Sequence, residues 1–81
     1  MKFDKDKIDE YTLALLYLVM WKENDYGSRA WKCFEWDTMD RLCEKGFILD
    51  PKNKSKSVAV TEEGFNKAKE LFNKYFGEED K

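Results

Sequence analysis

The stretch that decides the fold is EKGFILDPKNKSKSVAVTEEGFNKAKELF, residues 44–72. It contains two short apolar runs with β-branched side chains, at residues 47–49 and 58–60. Between these runs lie Asp-Pro, Asn and Ser, which are residues typical of turns. We therefore predict a two-stranded β-hairpin with a long exposed tip. Because an isolated hairpin is only marginally stable in water, we expect it to pack against helices.

A helix is predicted directly after this hairpin. Thr61 is a suitable N-cap, and Glu62 and Glu63 place negative charge beside the unpaired amide groups of the first turn. Apolar residues then recur at helical spacing until Gly77 ends the pattern. These residues are Phe65, Ala68, Leu71, Phe72, Tyr75 and Phe76.

Two further helices are predicted before the hairpin. The second runs from about Glu35 to Lys45, carries one apolar stripe and ends at Gly46, which suits a left-handed C-terminal residue. The first runs from about Asp6 to Lys22 and includes the apolar segment from Leu13 to Trp21. Because that segment has no polar face, we expect it to be surrounded by other elements or to form half of a pairing surface.

The region between the first two helices is short and polar at its start. Asn24 to Ser28 is predicted to be a turn, and the segment from Arg29 to Phe34 is interpreted as one helical turn. The resulting order is helix, helical turn, helix, strand, tip, strand and helix. This order predicts an α+β fold: residues 1–81 form a single abbreviated winged-helix-like domain, with three main helices and a two-stranded hairpin before the last one.

Part of the chain resembles a known class of regulators. EKGFI at residues 44–48, followed by the hairpin and by VAVTEEGFNKAKELF at residues 58–72, is similar to the second half of winged-helix domains of the MarR and PadR kind. The resemblance implies that the helix before Gly46 enters the major groove of DNA. It also implies that Lys52, Lys54 and Lys56 occupy the tip of the wing.

A second resemblance covers most of the chain. The pattern RAWKxFxWDxxDRLxEKGxI fits residues 29–48, DKDKIDE lies near the start, and KSxxxTEEG fits residues 56–64. Together these patterns resemble a family of short bacterial proteins described as a domain of unknown function. This resemblance implies no particular activity.

The charge pattern bears on DNA binding. The chain has 15 Lys and Arg against 17 Asp and Glu, and the predicted second helix is itself acidic. A helix that contacts phosphates normally carries positive charge. The lysines at the hairpin tip are the concentrated basic group, although they also suit a solvated tip that discourages strand pairing. DNA binding is therefore our alternative hypothesis, with contacts from Lys52, Lys54, Lys56 and Arg41.

An unusual aromatic cluster favours protein interaction. The segment RAWKCFEW at residues 29–36 combines indole and phenyl rings with cations, the side chains that dominate binding energies at protein interfaces. Each Trp alone could instead fill the core, but we expect at least one aromatic of this segment to be partly exposed. The predicted partner is another protein, including a second copy of this chain. The predicted interaction residues are Tyr26, Arg29, Trp31, Lys32 and Trp36.

Several function classes are disfavoured. The chain has no His, which removes the commonest general base and metal ligand. Cys33 and Cys43 are too few for a zinc site or a disulfide framework, so we expect buried free thiols. The paired carboxylates, such as Asp37 and Asp40, suit surface charge. We therefore expect a cytoplasmic, non-enzymatic protein without a cofactor or metal, since a signal peptide and a membrane-spanning run are also lacking.

Overall fold

The computed structural model describes residues 1–24, 27–32 and 34–78. Within these residues the chain forms three α-helices, one short 3-10 turn and four strands. In chain order they are α1 (Lys5–Leu16), the 3-10 turn (Tyr17–Val19), β1 (Met20–Asn24), β2 (Gly27–Trp31), α2 (Trp36–Glu44), β3 (Ile48–Leu49), β4 (Ser57–Val60) and α3 (Glu62–Phe76).

The four strands form one antiparallel sheet in the order β1-β2-β4-β3. Successive residues of a strand point to opposite faces, so each strand has an inner and an outer set of side chains. The inner set includes Ala30, Ile48, Val58 and Val60, which are buried in the same core as residues of α1, α2 and α3. The chain is only 18 Å thick in its shortest dimension, which matches one layer of helices on one sheet.

The outer face of the sheet has its own row of residues. The register aligns Trp21, Arg29, Ala59 and Leu49 across the four strands, and Trp31 lies two residues beyond Arg29 on the same face. Trp21, Trp31 and Leu49 all retain substantial exposure. We call these five residues the outer face.

The α+β fold with three helices and a hairpin before the last helix is confirmed. β3 and β4 pair as predicted, and α2 ends before Gly46, which has a φ of +83°. Thr61 caps α3, because its hydroxyl oxygen accepts a hydrogen bond from the Gly64 amide at 2.9 Å. These elements have clear start and stop residues, which is why the sequence predicts them well.

The predicted first helix is wrong beyond Leu16. The chain leaves the helix there, passes through the 3-10 turn and enters β1 at Met20. The segment from Leu13 to Trp21 is therefore shared between a helix and a strand, so its apolar residues do not surround one helix. Its second half contains β-branched and aromatic residues, which fit a strand once a partner strand is present.

The predicted helical turn from Arg29 to Phe34 is also wrong. Residues Gly27–Trp31 form β2, which is a central strand paired with β1 on one side and β4 on the other. The sheet therefore has four strands in the described residues, two more than the predicted hairpin supplies. The predicted turn from Asn24 to Ser28 includes Asp25 and Tyr26, which lie outside the described residues.

Candidate protein-interaction surface

Trp31 lies on the outer face because of its position in β2. Its neighbour Ala30 points to the opposite side of the sheet, into the core. The indole of Trp31 packs against that of Trp21 with ring centroids 4.9 Å apart and planes inclined by 46°. Trp31 is 51% exposed and Trp21 is 36% exposed. The two side chains thus form a partly open indole pair near one edge of the sheet.

Arg29 supports this pair from the centre of the sheet. Its Nε donates a hydrogen bond to Ser57 Oγ at 2.8 Å, and its Nη2 donates one to the Ser57 carbonyl at 3.1 Å. Ser57 lies directly opposite Trp31 in the β2–β4 register and is buried. The guanidinium therefore ties the two central strands together beside the indole pair.

Lys32 follows β2 and binds the tip of the β3–β4 hairpin. Its Nζ donates hydrogen bonds to the Asn53 carbonyl at 2.6 Å and to Asn53 Oδ1 at 3.0 Å. Asn53 Oδ1 also accepts the Ser55 amide at 2.8 Å. Asn53 therefore organises the tip, and the sequence indicated only that Asn occurs in a turn-forming stretch.

Trp36 belongs to a different place on the surface. It begins α2, is 60% exposed, and its ring lies 5.9 Å from Lys32 Nζ. A pocket of about 180 Å³ is lined here by Lys32, Phe34, Trp36, Met39 and Pro51. The ring of Trp36 thus belongs to the tip side of the molecule and not to the indole pair.

The structure therefore divides the predicted interaction residues into two sites. Arg29 and Trp31 lie on the outer face, whereas Lys32 and Trp36 lie together near the hairpin tip. Tyr26 lies outside the described residues. The prediction that at least one aromatic of this segment is partly exposed is confirmed by both Trp31 and Trp36. Trp21 was not among the predicted interaction residues, because its segment was predicted to be helical.

The lysines proposed for DNA contact are all exposed. Lys52, Lys54 and Lys56 project from the tip between β3 and β4, where Asp50 adopts a φ of +39° at the start of the turn. The Lys56 carbonyl accepts the Lys32 amide at 2.9 Å, which holds the tip against β2.

Arg41, the fourth residue proposed for DNA contact, is engaged inside the protein. Its Nε donates hydrogen bonds to both carboxylate oxygens of Asp9 at 2.9 and 3.0 Å, and its Nη2 lies 2.8 Å from Asp9 Oδ1. Lys45 Nζ reaches the same carboxylate at 2.8 Å. Asp9 is only 2% exposed, so these contacts fasten α1 to α2. They weigh against a DNA contact by Arg41.

The environment of Asp9 lowers the pKa of its carboxyl group. Burial opposes the charged form, but the hydrogen bonds and positive charges of Arg41 and Lys45 outweigh it. The pKa of the Asp9 carboxyl is therefore held below its usual value of 3.8.

We expect acid to weaken the fold through Asp9. A carboxyl group with a lowered pKa stabilises the fold above its unfolded-state pKa, and this contribution is lost as the pH falls through the folded-state pKa. Below about pH 4, the free energy of unfolding should therefore fall more steeply for the wild type than for Asp9→Asn. Urea unfolding followed by tryptophan fluorescence across the acid range measures both slopes. Equal slopes would contradict this role of Asp9.

Within residues 1–24, 27–32 and 34–78, no group of three or more Cys, Asp or Glu could hold a metal ion. Cys43 is a free, half-buried thiol, and Cys33 lies outside the described residues. In the part of the chain that the structure describes, no helix has the length and apolar character needed to cross a membrane.

The fold and surface define a small α+β domain in which, among the described residues, one face of the sheet carries exposed aromatic and apolar side chains. The family model described as "Domain of unknown function (DUF6429)" matches residues 4–78, so the chain belongs to this family. It is 50% identical over 76 residues to the "Uncharacterized protein y4hR" of Sinorhizobium fredii (strain NBRC 101917 / NGR234), covering 94% of this chain and 97% of that protein. No solved structure matches.

These comparisons bear on the two resemblances found in the sequence. The predicted membership of a bacterial family of unknown function is confirmed at the level of the family. The resemblance to MarR and PadR regulators remains a prediction.

Proposed function

We propose that this protein is a non-enzymatic protein-interaction module and that its outer face is the binding surface. The observation that supports this proposal most directly is the partly open indole pair of Trp21 and Trp31, with Trp31 half-exposed. Tryptophan is enriched among the residues that dominate interface energies, because it offers a large rigid area with little entropy to lose.

The surroundings of the pair suit this role. Leu49 is also more than half exposed and lies at the far end of the row that runs from Trp21 through Arg29 and Ala59. The row is carried by paired strands with a packed core behind them, so it needs little reordering on binding. Exposed indole and leucine side chains on one face of a small domain are typical of a contact surface.

We expect Trp31→Ala to abolish partner capture while the fold persists. Truncating a central interface tryptophan commonly costs 2 kcal/mol or more of binding energy, roughly a thirtyfold loss of affinity. The tagged chain would be used to capture partners from a lysate of the cells that encode it. Leu18→Ala is a matched control, because Leu18 is 64% exposed and lies before β1.

Partner capture by the wild type, Leu18→Ala and Trp31→Ala is compared. A partner retained by wild type and Leu18→Ala but lost by Trp31→Ala supports the proposal, provided that circular dichroism shows unchanged helix content. A partner that Trp31→Ala retains, or a Trp31→Ala chain that unfolds, would refute the role of Trp31 as an interaction residue.

A second candidate function is DNA binding through the hairpin tip, supported by the exposure of Lys52, Lys54 and Lys56. Three phosphate contacts predict a shallow salt dependence, with a slope of about −2.7 in log affinity against log salt. Mobility shifts with duplex DNA at low salt test this candidate. Absence of retardation at micromolar protein concentrations would exclude it, and loss of retardation in a triple Lys→Ser variant of the tip would support it.

A further inference from the structure

The edge of the sheet formed by β1 is open. In the described residues β1 (Met20–Asn24) pairs with β2 on one side and with no strand on the other. The outer side of such a strand presents a row of main-chain N–H and C=O groups that can accept another strand. Trp21, the second residue of this strand, adds an exposed apolar side chain at the same edge.

We propose that two copies of this chain pair antiparallel through their β1 edges, giving a continuous eight-stranded sheet. This inference rests on the proposed function, since it places a second copy at one end of the outer face. Pairing of this type is strand addition, in which main-chain hydrogen bonds provide affinity and side chains on alternating positions provide specificity.

The positive charge of Lys22 favours one register of this pairing over another. The register that overlaps all five residues of β1 crosses the irregularity between Lys22 and Asn24, and it places Lys22 directly opposite Lys22 of the second copy, where like charges destabilise a sheet. A shift by two residues keeps each face of the sheet continuous and places Trp21 opposite its own copy, with Lys22 opposite Met20. We therefore assign the two-fold axis to Trp21.

This register accounts for the exposed indoles. Trp31 already packs on Trp21 within one chain, so pairing across the axis would join four indoles in one diagonal line on the outer face. Aromatic cross-strand pairs are among the most stabilising in antiparallel sheets. Because the shared edge is short, the dimer belongs to the weak class of interfaces.

Sedimentation velocity over a range of protein concentrations tests the pairing. Trp21→Glu removes the indole pair and places two carboxylates opposite each other, so we expect the dimer dissociation constant to rise about tenfold or more. Leu49→Glu is the matched control, because Leu49 lies on the same face at the opposite edge. It should change the dissociation constant by less than about twofold.

A disulfide trap tests the register independently. In a Cys33→Ser, Cys43→Ser background, Trp21→Cys places the two thiols opposite each other across the axis, at a Cβ separation of about 4.5 Å, which a disulfide can span. Because this change also removes the indole pair, the oxidation is done at high protein concentration. Mild oxidation should link this variant as a dimer and leave the corresponding Leu49→Cys variant as a monomer.

Three results would overturn the inference. They are a wild-type chain that stays monomeric at millimolar concentration, a dimer unaffected by Trp21→Glu, and a dimer lost in Leu18→Glu but not in Trp21→Glu. The last result would place the contact on the helical side. None of these results touches the capture of a different protein through Trp31, so the failure of the dimer and the failure of the proposed function are distinguishable.

Discussion

Gly64→Ala should strongly destabilise this protein, although alanine is the better helix former. In an open helix position the change from glycine to alanine would gain about 1 kcal/mol. Here we expect a net loss of about 3 kcal/mol, because the added methyl group overlaps with backbone that cannot move aside.

The cause is the close approach of α3 to the start of β3. A Cβ on Gly64 would lie 2.8 Å from the carbonyl carbon of Phe47 and 2.9 Å from its Cα, and it would overlap with the Phe47 carbonyl oxygen. Thr61 holds the two segments together, because its hydroxyl donates a hydrogen bond to the Gly46 carbonyl at 2.7 Å and its amide donates one to the Phe47 carbonyl at 3.0 Å. The TEEG pattern is thus a cap and a backbone contact in one.

Urea unfolding of Gly64→Ala and Gly27→Ala measures this effect. Gly27 has no atom within 4 Å of an added Cβ, so its alanine variant should stay within about 0.5 kcal/mol of the wild type. An increase in the free energy of unfolding for Gly64→Ala would show that helix propensity outweighs the contact with Phe47.

Arg41→Met is the second change with a large expected effect. It removes the guanidinium that holds both oxygens of the buried Asp9 carboxylate and leaves that charge with Lys45 as its remaining partner. Breaking a buried ion pair from one side commonly costs 3–5 kcal/mol. Because Lys45 stays in place, we expect a loss of about 3 kcal/mol in the free energy of unfolding.

A double variant distinguishes the effect of the unpaired Asp9 charge on stability from the effect of lost Arg41 packing. Adding Asp9→Asn to Arg41→Met removes the unpaired charge and should recover part of the lost stability. Lys67→Met is a control, since Lys67 is more exposed and lies 3.7 Å from Glu70 in a surface pair of small expected value. Equal losses in Arg41→Met and Lys67→Met would contradict a structural role for the Asp9 contacts.

The elements that the sequence predicted correctly are those with distinct boundaries. Gly46 ends α2, Asp50 and Pro51 open the tip, and Thr61 begins α3. Each of these residues acts through its own backbone preference or capping side chain, which does not depend on the rest of the fold.

The missed elements depend on contacts between distant segments. From Leu13 to Trp21 every residue is apolar or aromatic, so periodicity could not show where the helix stops and β1 starts. β2 is defined by its pairing with β4, which lies far along the chain. The contact between Asp9 and Arg41 has the same origin, because it joins two residues that lie 32 positions apart on different helices.

The grouping of the predicted interaction residues also depends on the structure of β2. Trp31 and Trp36 look like one cluster when the segment between them is taken as a helical turn. In a strand, alternate residues point to the same face, so Trp31 joins the row that contains Trp21. Lys32 follows the strand and lies against Trp36 instead. The side to which each residue points could be assigned only after β2 was recognised as a strand.

The central position of β2 also constrains how the molecule folds. Its partner β4 pairs Ser57 with Trp31, and α2, β3 and the lysine tip lie between these two strands in the chain. The centre of the sheet can therefore form only when this long loop is closed. The pairings of β1 with β2 and of β3 with β4 join segments that are close in the chain. The pairing of β2 with β4 costs more conformational entropy, because it closes the longer loop between them. We therefore expect the pairing of β2 with β4 to be the slow step of folding.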